Sequence, residues 1–437
     1  FLAIAQEDKK KWDVSNPGDE FQYTNHNFTT DQGTWMNLDV SPDGSTIVFD
    51  MLGDIYSIPT SGGKAKVLRS GIPFELQPRF SPDGKKILFT SDAGGGDNIW
   101  VMNADGSEAE QVTKESFRLL NNAAWMPDGY SFVARKHFTS GRSLGAGEMW
   151  QYHITGGSGM QLTQKKNDQQ DVNEPVISPD GKYMYYSEDV YPGGFFQYNK
   201  DPNKQIYALK RYEFATGKTT QITGGPGGAA RPQLSPDGKL MAFVKRVRTK
   251  STLYIHDLES GTEYPVFDGL NKDQQEAWAI FGVYPNFDWM PDNKHLVFWA
   301  KGKIHQLNIE TLALKVIPFE ADVNIKLAKT VHFKTPIEDK TFTPKVIRQA
   351  VTSPDGKLLV FHALGYLWTK SLPNGPQTPR NQQVNAQGVS PSKDGKYIYY
   401  ATKAGGFEYN MTGFPWRIVR RDLDEGTTDT IATAQGG

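Results

Sequence analysis

A short apolar run, a tight polar reversal and a second apolar run make up the basic pattern of this chain, and residues 77–113 carry one complete unit of it. Residues 77–80 stop at Ser81-Pro82-Asp83-Gly84, where proline presets φ at about −65° and glycine accepts positive φ. Ile87-Leu88-Phe89-Thr90 follows as a run of strand formers, then a glycine-rich loop through Gly94, Gly95 and Gly96. Ile99-Trp100-Val101-Met102 predicts a third strand, Ala104-Asp105-Gly106 a turn, and residues 108–113 a fourth strand. Four short strands joined by three reversals predict an antiparallel sheet that cannot bury its two faces alone. Such a sheet needs copies of itself.

The copies are present. Ser-Pro-Asp-Gly stands at 41–44, 81–84, 178–181, 235–238 and 353–356, with degenerate forms at 126–129, 290–293 and 392–395. The eight starts lie about 40 to 63 residues apart, the period of a propeller blade. Third strands fall in register at Ile55-Tyr56, Ile99-Trp100, Met149-Trp150, Ile206-Tyr207, Leu253-Tyr254, Ile304-His305, Leu367-Trp368 and Arg417-Ile418. The next turn carries Gly62, Gly106, Gly156, Gly217, Gly261, Gly375 or Gly426 in all but the sixth unit. The pattern predicts an all-β fold, a β-propeller of four-stranded antiparallel blades with eight blade repeats. Two arrangements stay open: one eight-bladed ring, or a six-bladed ring plus two blades of a second.

Blades one to six occupy 34–317 and blades seven and eight 346–437, separated by a connection over 318–345 that is long for an inter-blade link. Residues 6–33 form a lead-in, within which 21–30 alternates as a strand expected to complete the last blade and close the ring; a loose edge strand is the alternative. In such blades the first–second and third–fourth turns share one face of the disc, and here they are short. The insertions at 136–147, 189–203, 268–284 and 318–345 all fall on the opposite face. Loops held by a rigid scaffold carry binding residues, so the elaborated face is the expected functional one. The chain stops where a ninth repeat would begin, so the native protein is expected to continue past 437.

Hydrophobic content of 38% supports a buried core, and a net charge of −1 with dispersed lysines and arginines argues against nucleic acid or an anionic membrane as partner. No apolar run is long enough for a membrane span. Residues 1–5 read as the remnant of a secretory signal, with an Ala3-x-Ala5 cleavage site before Gln6, which predicts a periplasmic or secreted protein; an arbitrary apolar start to a fragment is the alternative. The absence of cysteine excludes thiol catalysis, thiolate metal sites and disulfides.

The repeats resemble the TolB-type propeller from about residue 34 onward. Three longer phrases are more specific: Lys11-Trp12-Asp13-Val14, Glu148-Met149-Trp150-Gln151-Tyr152-His153 and Tyr198-Asn199-Lys200-Asp201-Pro202-Asn203. They resemble the propeller region that precedes the catalytic domain in bacterial TolB-like amidohydrolases. The resemblance implies a metal-dependent C–N bond hydrolase whose His-x-His metal motif lies on a separate barrel.

The chain itself offers no such chemistry. Its histidines, at 26, 137, 153, 256, 295, 305, 332 and 362, show neither His-x-His nor His-Glu-x-x-His spacing. A divalent metal is therefore expected only on a catalytic domain outside these residues, and no cofactor, catalytic or metal-binding residue is assigned here. Gly141-Arg142-Ser143-Leu144-Gly145 has the spacing of a nucleophile elbow but lacks the strand before and helix after it. Gly217-Lys218-Thr219 lacks the upstream glycine of a phosphate loop, and Asp422-Leu423-Asp424-Glu425-Gly426 reads as a hairpin rather than a calcium loop.

What remains is binding. Innermost strands line the central channel, and Glu75, Gln77, Asn121, Asn122, Glu174 and Arg231 are the polar candidates there; hydrogen bonding between neighbouring blades is the plainer account of them. On the elaborated face Arg135, Lys136, His137 and Arg142 form a basic cluster, and Tyr191, Phe195, Phe196 and Tyr198 an aromatic one. Arginine with aromatics is a common interface composition, although a self-packed loop uses the same residues. Three functions follow as expectations: an exported recognition or substrate-gating part of a larger metal-dependent amidohydrolase, a stand-alone TolB-type interaction scaffold, or the gating propeller of a tricorn or prolyl-oligopeptidase type serine peptidase. The expected partner is a protein or a C-terminal catalytic domain.

Overall fold

The apolar runs sit where sheets stack on sheets. In a computed structural model of the chain, the residues described are 13–18, 21–116, 119–138, 146–192, 200–330, 332, 334–335, 340–380, 387–403 and 416–434. Two compact units divide it, Phe1–Thr330 and Val331–Gly437. In the first, six four-stranded antiparallel sheets follow one another in chain order. Their innermost strands are Leu38–Val40, Glu75–Phe80, Leu119–Trp125, Val172–Ile177, Ala230–Leu234 and Asp288–Trp289. Second strands are covered on both faces by neighbouring blades, which is why they read as continuous apolar runs. Ile47, Val48 and Phe49, Ile87, Leu88 and Phe89, and Leu296, Val297 and Phe298 are all fully buried.

The repeated turn works as a side-chain clamp. Ser41 Oγ donates to Asp43 Oδ1 at 2.6 Å and accepts from the Thr46 amide at 2.9 Å. The same pair of bonds recurs at Ser81, Ser178, Ser235, Ser353 and Ser392. Hydroxyl donation from Ser41 holds the Asp43 carboxyl down at about 2. These turns also measure the ring. A Cβ on Gly84 would lie 3.4 Å from Pro42 of the preceding blade, one on Gly238 3.2 Å from Pro179, and one on Gly44 3.0 Å from Pro291. The last pair joins blade one to blade six. The same seam is bonded by Leu38 N to Asn286 O at 3.1 Å and by Val40 N to Asp288 Oδ2 at 3.0 Å, and one apolar cluster runs across it from Met36 and Phe49 to Trp289 and Phe298. The first unit is a closed six-bladed ring.

The expected closing strand works at this seam from outside the blades. The strand Tyr23–Thr30 adds to no blade, because blade six already has Leu314–Ile317 as its fourth strand. It pairs instead along its whole length with Phe319–Ala328, whose first residues run parallel to Gly63–Lys64 of blade one. Phe319, Ala321 and Val323 are buried in that clasp, with Phe319 5.4 Å from the Phe49 ring. The 318–345 connection thus begins as the strand that carries blade six over to blade one.

The second unit holds two more four-stranded sheets of the same build, with Val360, Leu367, Val389, Ile398, Tyr400 and Val419 as its core. Its first strand, Arg348–Thr352, is exposed along its whole length.

The sixth blade lacks the glycine that its fellows carry after the third strand. Leu312 takes that place with φ 58° and 54% exposure, a conformation that costs a residue with a Cβ about 1–2 kcal/mol. Leu312→Gly is expected to raise unfolding stability by about 0.5–1 kcal/mol once the added chain entropy is subtracted, as read from urea denaturation; a loss of stability would mean that the Leu312 side chain packs usefully.

Candidate binding site at the loop-bearing end of the channel

The inner strands of blades two to five each break the ladder with a bulge, and the residue at the bulge is not glycine. Gln77, Asn122, Glu174 and Arg231 have φ between 51° and 61°, and pairing shifts register around each of them. A bulge leaves an amide without a ladder partner. Side chains near the axis collect these amides. Gln77 N donates to Asp50 Oδ2 of blade one at 2.7 Å, Asn122 N to Gln77 Oε1 at 2.8 Å, and Arg231 N to Glu174 Oε2 at 2.6 Å. Asn122 Nδ2 reaches Asn173 Oδ1 at 2.7 Å, which also takes the Glu174 amide at 3.0 Å. Asn37 closes the circuit, giving Nδ2 to Asp50 at 2.7 Å and accepting Asn286 N at 2.9 Å. Burial pushes the Asp50 carboxyl up to about 6, against the bonds from Gln77 and Asn37.

The insertion between blades five and six fills the channel above this circuit. Its backbone supplies the missing acceptors: Phe281 O to Gln77 Nε2 at 2.8 Å, Ile280 O to Asn121 Nδ2 at 3.1 Å, Ala279 O to Asn173 Nδ2 at 2.8 Å and Tyr284 O to Arg231 Nε at 2.7 Å. Glu174 takes the amide of Val283 at 2.5 Å and faces Arg231 at 3.3 Å. Burial lowers the Arg231 guanidinium to about 10, with Glu174 opposing. Gly282 is required here, because a Cβ would overlap the Arg231 guanidinium. Arg246 anchors the base of the insertion by a fork onto Asp273 at 2.6 and 2.8 Å and by Glu276 at 3.1 Å. Glu75 stands apart from the plug, bonded to Arg69 at 3.0 Å.

Beside the plug, blades three and four leave a cleft of about 30 Å³ under residues 277–280, lined by Arg135, His137, Asp171, Asp189, Lys200 and Tyr207. Arg135 is 1% exposed. Its Nη2 donates to Asp171 Oδ2 at 2.5 Å and its Nε to Asp171 Oδ1 at 3.2 Å and to Val172 O at 3.0 Å. Nη1 is buried with no acceptor. Gly147 lies against this pair, and a Cβ there would stand 2.7 Å from Arg135 Nε. Lys200 pairs with Asp189 at 2.5 Å; burial raises the Asp189 carboxyl, Lys200 opposing. Burial, together with Asp189 and Asp171, pushes the Tyr207 phenol well above its usual range.

The expected basic cluster is split by strand alternation. Arg135 and His137 face the cleft, whereas Lys136 points the other way, to Glu115 at 2.6 Å and over the Trp150 ring at 4.2 Å. Tyr191 packs against Ile206, Tyr207 and Val283 beside the cleft. Arg142, Phe195, Phe196 and Tyr198 lie outside the described residues. Asp171, Asp189, Tyr207 and the plug backbone were not singled out from the sequence, though Asp189 opens one insertion and Tyr207 marks a third strand. At the other end of the channel a depression of about 280 Å³ is rimmed by Pro42, Pro179, Pro236 and Pro291 of the repeated turns. Among the described residues no group of three or more histidines and carboxylates is placed to hold a metal, and no helix is long and apolar enough to cross a membrane.

The ring, its turns and its clasp define a β-propeller of four-stranded antiparallel blades. Residues 24–196 match the family model described as the TolB beta propeller domain. Among curated proteins, the chain is 28% identical over 191 residues to the uncharacterized peptidase YuxL of Bacillus subtilis, which covers 44% of this chain and 24% of that protein. It is 24% identical over 306 residues to dipeptidyl-peptidase 5 of Porphyromonas gingivalis, covering 64% and 40%. It is 30% identical over 158 residues to the uncharacterized protein Atu1656 of Agrobacterium fabrum, covering 33% and 52%. The chain thus spans about half or less of the length of these relatives. Among solved structures, TolB of Acinetobacter baumannii matches with a TM-score of 0.48 at 18% identity over 66% of this chain and 65% of that one. The tricorn protease matches with 0.47 at 14% identity over 92% and 39%.

Removing the Glu174 carboxylate leaves the Arg231 charge buried without its counter-charge and the amides of Val283 and Tyr284 without that acceptor. Glu174→Ala is therefore expected to lose about 3–5 kcal/mol in equilibrium denaturation, and a loss below about 1 kcal/mol, the size of an exposed pair, would contradict the plug's role.

Proposed function

We propose that this chain is a non-catalytic TolB-like propeller that recognises a partner protein through its loop-bearing face. The observation that carries the reading is the plug. Residues 279–284 occupy the axis and consume the polar groups of the inner strands, so the axial channel is a poor conduit for substrate. The cleft and the insertions beside it remain accessible for recognition. Rigid scaffold plus irregular loops is the usual division of labour in binding modules.

A second reading makes the same face the recognition part of a longer exported hydrolase. It is favoured by two relatives named as peptidases, of which the chain spans 24% and 40%. A serine-peptidase partner domain rests on those names. A metal-dependent amidohydrolase rests on the phrases at 11–14, 148–153 and 198–203 alone. Location outside the cytoplasm rests on the Ala3-x-Ala5 pattern and the lack of cysteine.

The test is site-specific photo-cross-linking in the source cells. A photoreactive residue at Asp168 or Lys272, both exposed on the loop-bearing face, is expected to yield a discrete protein adduct, or a contact within a longer chain. The same residue at exposed Lys85 or Lys239, on the turn face, is expected to yield none. Adducts confined to the turn face, or none at any position, would contradict the reading.

A further inference from the structure

We propose that the cleft between Arg135, Lys200 and Tyr207 under residues 277–280 is a binding site for a small carboxylate. The inference rests on the loop-bearing face being the recognition face and names the chemistry that face takes. Arg135 is the reason. A guanidinium offers five N–H donors in a rigid plane. Asp171 and Val172 O take the Nε–Nη2 side, and Nη1 is buried with no acceptor among the described residues. Buried charged donors are normally satisfied. The Nη1–Nη2 edge has the spacing that two coplanar carboxylate oxygens match.

The surroundings fit one negative charge. Arg135 is balanced by Asp171 at 2.5 Å and Lys200 by Asp189 at 2.5 Å, so the four groups sum to neutral. Tyr207 lines the same cleft, and burial beside Asp189 and Asp171 keeps its hydroxyl protonated and able to donate. A phosphate dianion would meet two carboxylates at close range; a carboxylate brings half that repulsion. The cleft, at about 30 Å³, has room for little more than the two oxygens of one carboxylate. Its occupant is an acetate-like head group, carried either by a free organic acid or by the C-terminus of a peptide. Arg135 itself needs Gly147, because any larger residue there would push it off Asp171.

The experiment uses the full 437-residue chain. Acetate, inorganic phosphate, and one short peptide with a free or an amidated C-terminus are titrated by calorimetry, with saturation-transfer NMR on the ligand protons. Saturable acetate binding is expected, with phosphate inert. A peptide that binds only with its free carboxylate identifies a chain terminus as the source; acetate binding without either peptide identifies a free acid. Arg135→Lys keeps a cation for Asp171 and removes the unpaired edge, and is expected to weaken acetate about tenfold or more. Tyr207→Phe keeps the packing and is expected to weaken it about threefold to tenfold. Both variants are checked for wild-type thermal melting. No saturable carboxylate binding by the wild type, or unchanged affinity in a folded Arg135→Lys, overturns the assignment. If the loop-face cross-links persist in that case, the carboxylate site fails alone; if they are also absent, the recognition face fails with it.

Discussion

The ring depends on amides that its own sheets cannot satisfy. A bulge in the inner strands of blades two to five turns one residue of each into the left-handed region and takes its N–H out of the ladder. Gln77, Asn122 and Arg231 each hand that N–H to a side chain of the preceding blade, Asp50, Gln77 and Glu174 respectively. One blade's defect is thus the next blade's docking point. Non-glycine residues at these φ values are strained by about 1–3 kcal/mol each, which is sustained because the side chains that follow are fixed on both sides. Glycine would relax the backbone and remove the carrier of the next bond.

The same geometry explains the plug. Side chains at bulged positions point toward the axis, and an axis lined with amides and charges would otherwise hold only water. The 268–284 insertion brings carbonyls to Gln77, Asn121, Asn173 and Arg231 and two amides to Glu174. Arg246 fixes its root. The insertion is therefore part of the ring's hydrogen-bond framework, and the cleft beside it inherits a rigid wall. The turn-face end of the channel stays hollow.

Much of this was legible in the chain. Ser-Pro-Asp-Gly and its degenerate forms fix the phase of every blade, because in the full form proline, the Ser–Asp bond and the positive-φ glycine act within a few residues of one another. The blade number of the ring was not, since it depends on whether Gly44 meets Pro291, a contact across most of the unit. The partner of Tyr23–Thr30 was hidden for the same reason. Gln77, Glu174 and Arg231 could be placed on the channel, but nothing in their residue types signals a left-handed backbone. The splitting of Lys136 from Arg135 and His137 follows from the two-residue period of a strand and was readable. Asp171 and Asp189 come together only through the packing of blade three on blade four.

The account stands most directly on native-state amide exchange measured residue by residue. If the captured amides tie the ring together, those of Gln77, Asn122 and Arg231 exchange only with global unfolding, as slowly as the central-strand amides of Phe89 and Phe243. Exchange of these three at the rates of the exposed turns, while the central strands stay protected, would mean that the blades hold together without them.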